Sequence, residues 1–117
     1  MKFKRSLRVS ELIKREISAI IAFTIKDPSI KTVNITFVKV NDDLKHAKIY
    51  YRVMGNNQTK EKAVKGLERA KKFIRSEIGH RTELRYVPEI QFYYDTGLDE
   101  AANIDLLLKQ IHDSDAS

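Results

Sequence analysis

The 117-residue sequence predicts one α+β domain with the element order α-β-β-α-β-α. Three observations predict it. Apolar residues recur at spacings of three and four in residues 6–25, 60–79 and 98–112, which is the helical period. They alternate in three shorter stretches rich in β-branched and aromatic residues. The whole pattern fits within a length that supports one hydrophobic core and not two.

The first helix places Val9, Leu12, Ile13, Ile17 and Ile20 on one face and Lys14, Arg15 and Ser18 elsewhere, with Ser6 as the expected N-cap. Asp27-Pro28 ends it, because proline disfavours helical backbone in the residue before it. In residues 32–40, Val33, Ile35 and Phe37 alternate. Val38 and Val40 continue on the opposite parity, which predicts a bulge near Phe37. Asn41-Asp42-Asp43 forms the turn. The second strand, 47–54, alternates cleanly: Ala47, Ile49, Tyr51 and Val53 on one face, Lys48, Tyr50, Arg52 and Met54 on the other.

After a loop at 55–58, Thr59 is the expected cap of a long helical stretch reaching about Ile78, with Gly79 as a closing C′ glycine. The third strand runs through 89–94, with Ile90, Phe92 and Tyr94 facing one way and Pro88 at its start. Residues 96–99 have the spacing of a capping box. They open a last helix with Ile104, Leu107, Leu108 and Ile111 turned inward. Residues 1–112 are expected to form one domain and 113–117 a disordered tail.

Charge is lopsided. Residues 1–94 hold 21 Lys and Arg against 10 Asp and Glu, a net +11, whereas the last 23 residues carry −5. A cationic body of this size suits a large polyanionic partner. With no Cys there is neither a disulfide framework nor thiolate chemistry, consistent with a reducing, cytoplasmic setting. No run approaches the ~20 apolar residues of a membrane span. His46, His80 and His112 lack ligand spacing, so no metal is expected. Glu89 and Asp95 would stand ~20 Å apart on an extended strand, too far for a carboxylate pair. No glycine-rich cradle precedes a Lys-Ser or Lys-Thr pair. Neither a catalytic site nor a cofactor is predicted.

Residues 60–79 contain a conflict. At about 100° per residue, Val64, Leu67, Ile74 and Ile78 share a face, and Lys62, Lys65, Arg69 and Lys72 form a basic stripe opposite. A straight helix puts Phe73 in that stripe and Lys71 beside the apolar face. A break between Ala70 and Phe73 cures both. The alternative is a straight helix with Lys71 snorkelling and Phe73 partly exposed. Helix–break–helix against three strands is the layout of a KH-type module. The glycines stand only at 55, 66, 79 and 97, so the GxxG clamp on single-stranded RNA is missing.

Four stretches then carry a family resemblance: Arg8-Val9 through Glu11-Leu12-Ile13 with Arg15-Glu16-Ile17; Lys26-Asp27-Pro28; Asp43-Leu44-Lys45-His46-Ala47-Lys48-Ile49-Tyr50; and Phe73-Ile74-Arg75-Ser76-Glu77-Ile78-Gly79 leading to Arg85-Tyr86-Val87-Pro88-Glu89-Ile90. In order and spacing they resemble the bacterial ribosome-binding factor A proteins. The likeness runs on through Tyr94-Asp95 and Leu98 to Ile104-Asp105.

That resemblance implies a type II KH-like fold, α-β-β-α(kinked)-β with a C-terminal helix, in which an Ala-x-Gly kink replaces GxxG. It also implies a non-enzymatic factor, supporting growth in the cold, that binds free 30S subunits and 16S rRNA late in assembly. Such a factor supports 16S 5′-end processing and is released with help from an assembly GTPase. Ala70 matches the kink alanine and Lys71 the middle position, but Lys72 occupies the glycine's place. Leu106 stands where the family carries a polar residue.

The stripe Lys62, Lys65, Arg69 and Lys72 with Arg75 is the leading candidate for rRNA contact, because solubilising faces mix signs and this one does not. Arg81 and Arg85, with His80, extend the track or form a basic loop without a partner. Lys45 and Lys48 start the second strand. Lys48, Tyr50 and Arg52 share a face with Gln91 and Tyr93, either a base-stacking surface or the wet face of a half-covered sheet. The N-terminal Lys2, Lys4, Arg5 and Arg8 form an arm that touches rRNA or merely solubilises. The expected protein is a cytoplasmic monomer. A general single-stranded RNA or DNA chaperone and a protein-interaction module built on the acidic C-terminal helix are the competing readings.

Overall fold

Val9, Ile13, Ile17 and Ile20, spaced four, four and three, give the first helix a continuous apolar stripe, and all four are buried. A computed structural model describes residues 2–97. It orders them as α1 (Lys2–Ala19), a π-helical turn (Ile20–Thr24), a 3-10 turn (Pro28–Ile30), β1 (Val33–Val40), β2 (His46–Val53), α2 (Asn57–Arg81) and β3 (Glu89–Tyr94). The expected closing helix, its capping box and the 113–117 tail lie outside the described residues.

Ser6 does not cap α1; the helix begins earlier, and Ser6 is buried within it. Its carbonyl accepts the Ser10 hydroxyl (2.7 Å), and Ser10 Oγ accepts the backbone N–H of Val40 (3.0 Å). A polar side chain on the apolar stripe thus fastens α1 to the end of β1, its hydrogen bonding satisfied. At the other end the ladder widens to an i+5 bond, from Ile25 N–H to the Ile20 carbonyl (3.0 Å). The extra residue lets adjacent Ile20 and Ile21 both bury and turns Phe23 outward, 88% exposed.

The sheet has the order β1-β2-β3, antiparallel between β1 and β2 and parallel between β2 and β3. The bulge falls between Ile35 and Phe37, as the parity switch predicts. Ile35, Val38 and Val40 therefore all reach the core, beside Ala47, Ile49, Tyr51 and Val53 of β2 and Ile90 of β3. Both helices cover this face. Ile13, Ile17, Ile20, Ile49, Leu67, Ile74 and Ile78 have no exposed surface. Cutting one of these isoleucines back to alanine costs about 2–5 kcal/mol.

α2 differs from expectation at three points. Its N-cap is Asn56, whose side chain accepts from Thr59 N (2.9 Å) and the Thr59 hydroxyl (3.0 Å). Gly79 does not close the helix, which continues to Arg81 and ends at Thr82. A side chain at Gly79 would come within 3.3 Å of Val87 Cγ2, so the glycine serves close approach of the segment leading into β3. The break expected at Ala70, Lys71 and Lys72 is absent: residues 57–81 are α-helical without interruption. Lys71 instead pairs with Glu68 one turn back (3.1 Å), its side chain 32% exposed. Phe73 is left 45% exposed against a shallow recess of Thr24, Ile25 and Ala70. Both residues are accommodated at the surface, so nothing is gained by giving up backbone hydrogen bonds.

Gly66 lies inside α2, where glycine costs helix stability. The 3-10 turn explains it: a Cβ there would collide with the Ser29 hydroxyl and lie 2.6 Å from Ile30 Cγ2. Glycine lets fully buried Ile30 press against the helix backbone.

Candidate nucleic-acid interface

On a continuous α2 the cations Lys62, Lys65, Arg69 and Lys72 occupy an arc of roughly 80°, and all are exposed. Lys62, Lys65 and Lys72 make no hydrogen bond or ion pair among the described residues. Their ammonium groups stand in solvent on a rigid helix, which suits point-charge contact with phosphates.

Arg69 sits within this strip, between Lys65 and Lys62 in azimuth, but its head is fixed. Its Nη2 donates to Asp27 Oδ2 (3.0 Å) and to the Ser29 hydroxyl (3.3 Å). Asp27 Oδ1 meanwhile accepts the Ser29 hydroxyl (2.7 Å) and Ser29 N–H (3.0 Å). These bonds from Ser29, and then the Arg69 guanidinium, lower the Asp27 carboxyl from 3.8 to about 2. Asp27 thus caps the 3-10 turn and holds α2 with the same carboxylate.

Arg75 leaves the strip. It lies about 60° further round the helix, where Nε (3.2 Å) and Nη2 (2.9 Å) both donate to the Val87 carbonyl. Arg81 also turns away, its Nη2 donating to the Thr24 hydroxyl (2.6 Å) and its Nε pairing with Glu77 (3.2 Å). It joins the end of α2 to the π turn. Arg81 and Arg85 therefore do not form one track. Lys45 and Lys48 also separate: Lys48 lies on the outer face of the sheet, and Lys45 faces a cleft.

That cleft, about 710 Å³ in volume, gathers Arg5, Lys45, Arg75 and Arg85 from four separate parts of the chain. The sequence offers Arg5 only as part of an N-terminal arm; in the structure it belongs to α1. On the outer sheet face, Phe37, Tyr50 and Tyr93 form a ladder across all three strands, with centroids 6.0 and 5.6 Å apart. Lys48 Nζ lies 5.9 Å from the Tyr93 ring centroid, in the row beside that ladder. Sequence reasoning places Lys48, Tyr50 and Tyr93 on one face but groups Phe37 with Val33 and Ile35, because the bulge that turns it outward falls just before it. It also misses the Arg69 anchor, although Asp followed by Pro-Ser is a recognisable side-chain-capped turn.

Two helices on one face of a β1-β2-β3 sheet, with an antiparallel and then a parallel pair, define a KH-like domain, here without the glycine clamp. Comparison with known proteins narrows the class. The ribosome-binding factor A family model matches residues 5–108. A ribosome-binding factor A from Halothermothrix orenii is 42% identical over 117 residues, covering 100% of this chain and 96% of that protein. The solution structure of a proposed Thermotoga maritima ribosome binding factor A superposes with a TM-score of 0.68 at 28% identity, over 81% of this chain and 91% of that one. A Thermus thermophilus ribosome binding factor A homology model, fitted into the cryo-EM map of a 30S complex with ribosome binding factor A, shares the fold. Its TM-score is 0.63 at 19% identity, over 75% of this chain and 92% of that one. The chain belongs to the ribosome-binding factor A family.

Proposed function

We propose that this protein is a non-enzymatic ribosome assembly factor that binds free 30S subunits through 16S rRNA late in maturation. It supports 16S 5′-end processing by occupancy and leaves with the help of an assembly GTPase. The observation that carries the reading is the strip of uncommitted Lys62, Lys65 and Lys72 on one rigid face of α2, in a body whose first 94 residues carry +11. Family membership, and the fitting of a Thermus relative into the map of a 30S complex, support ribosomal RNA as the polyanion. Moderate, salt-sensitive affinity suits a factor that must leave, since each duplex phosphate neutralised adds about 0.9 to the log–log salt slope.

Sucrose-gradient fractionation of cell lysate tests this. The protein is expected with free 30S particles and depleted from 70S and polysome fractions; an even spread over all particles refutes it. The aromatic ladder on the outer sheet face favours a second reading, a general single-stranded RNA chaperone. Excess bulk RNA would then strip the protein from 30S particles, whereas an assembly factor keeps its preference.

A further inference from the structure

The cleft beside the β1–β2 turn has features that a purely electrostatic grip on rRNA does not require. Of its basic residues, Arg75 is committed to the Val87 carbonyl and serves as a wall brace. Arg5, Lys45 and Arg85 make no side-chain hydrogen bond or ion pair among the described residues, though they converge from α1, the turn and the segment before β3. Two acids also line the cleft. Asp43 accepts the Lys45 backbone N–H (3.0 Å), and Glu89 faces His46 at 3.8 Å. Four basic side chains line the cleft against these two carboxylates, so its charge is net positive.

The remaining lining is apolar: Val9, Leu44 and Leu84, with Tyr86 at the lip. Tyr86 is 79% exposed, yet Val87 and buried Pro88 fix the backbone next to it. Leu44 holds a left-handed backbone (φ 62°), a conformation unfavourable for leucine, while its side chain packs on the core. This turn carries Lys45 into the cleft. Strained backbone held by packing is a recurring feature of ligand sites.

A flat aromatic lip, apolar walls and three free cations fit a ligand with a planar ring and attached phosphates. The volume is that of a small-molecule pocket, too confined for the face of a duplex. We propose, resting on the ribosomal-RNA reading above, that this cleft receives one unstacked nucleotide of the RNA. Its base lies against Tyr86, and its flanking phosphates are held by Arg5, Lys45 and Arg85. The lysine strip grips the backbone; the cleft selects a site where a base is already free. Such a division matches how proteins find specific places on folded RNA, through unpaired nucleotides.

The test uses the full-length chain and a labelled RNA hairpin in three forms: fully paired, with a one-nucleotide bulge, and with an abasic bulge. Fluorescence anisotropy at fixed salt should show the bulged form bound about tenfold tighter than the other two. Tyr86→Ala should abolish that preference while leaving paired-RNA affinity and the thermal midpoint unchanged. Lys45→Gln/Arg85→Gln should weaken the bulged form more than the paired one. A wild-type protein that binds 30S subunits but treats the three hairpins alike overturns the cleft proposal alone, and points to an acidic peptide as the occupant. Absence of binding to both hairpins and 30S subunits overturns the RNA reading as well.

Discussion

On α2, lysines and arginines with similar formal charge are put to different uses. Lys62, Lys65 and Lys72 project into solvent with no partner among the described residues. Arg69, Arg75 and Arg81 each reach back to another segment: Asp27 and Ser29, the Val87 carbonyl, and Thr24. The difference follows from the side chains. A planar guanidinium with several fixed donors can brace one segment against another, whereas a hydrated ammonium on a flexible stem stays available to a phosphate. Counting basic residues along α2 therefore overstates the interface and hides the clamps.

Separating the two groups gives predictions of decreasing size. Charge reversal at Lys62, Lys65 and Lys72 together should weaken 30S binding on the order of 100-fold, with circular dichroism and the thermal midpoint nearly unchanged. Gly66→Ala should do the reverse. Its methyl meets Ser29 and Ile30, and overpacking of this kind costs about 1–3 kcal/mol against a helix-propensity gain of about 1. The thermal midpoint should drop by several degrees while the variant, once folded, binds normally. Arg75→Ala should cost about 1 kcal/mol and speed amide exchange in residues 84–87, leaving the salt dependence of binding intact.

The Arg69 clamp can be separated by pH. Asp27 is held at about 2 in the fold, below its ordinary 3.8, so its contribution is complete above the ordinary value and disappears as pH falls through about 2. Urea unfolding at pH 5 and pH 2 should show an acid-dependent loss in the wild type that Asp27→Asn lacks in part. The smallest effect belongs to Thr36 at the bulge, whose buried hydroxyl has no partner among the described residues. Thr36→Val should be neutral or stabilise by up to about 1 kcal/mol.

Much of this was legible in the sequence because periodicity records burial. The α1 stripe, the alternation in β2 and the parity switch that marks the bulge all depend on neighbours along the chain. Lys71 and Phe73 show where that reasoning fails. Their conflict with a straight helix is real, but an i,i+3 ion pair and a shallow surface recess accommodate them without a break. Gly79 reads as a stop signal because its actual constraint, contact with Val87, is made by a residue that folds back from beyond the helix. The cleft was not legible at all. Arg5, Lys45 and Arg85 meet only because β3 pairs parallel to β2 and brings the 84–88 segment beside the β1–β2 turn.

The division of labour between free lysines and committed arginines is tested most directly by the salt dependence of binding to purified 30S subunits. The log–log slope should fall by about 2–3 when Lys62, Lys65 and Lys72 are all replaced by glutamine, and should stay unchanged when Arg75 is. An unaltered slope in the triple-lysine variant, or an equal fall in the arginine variant, would contradict it.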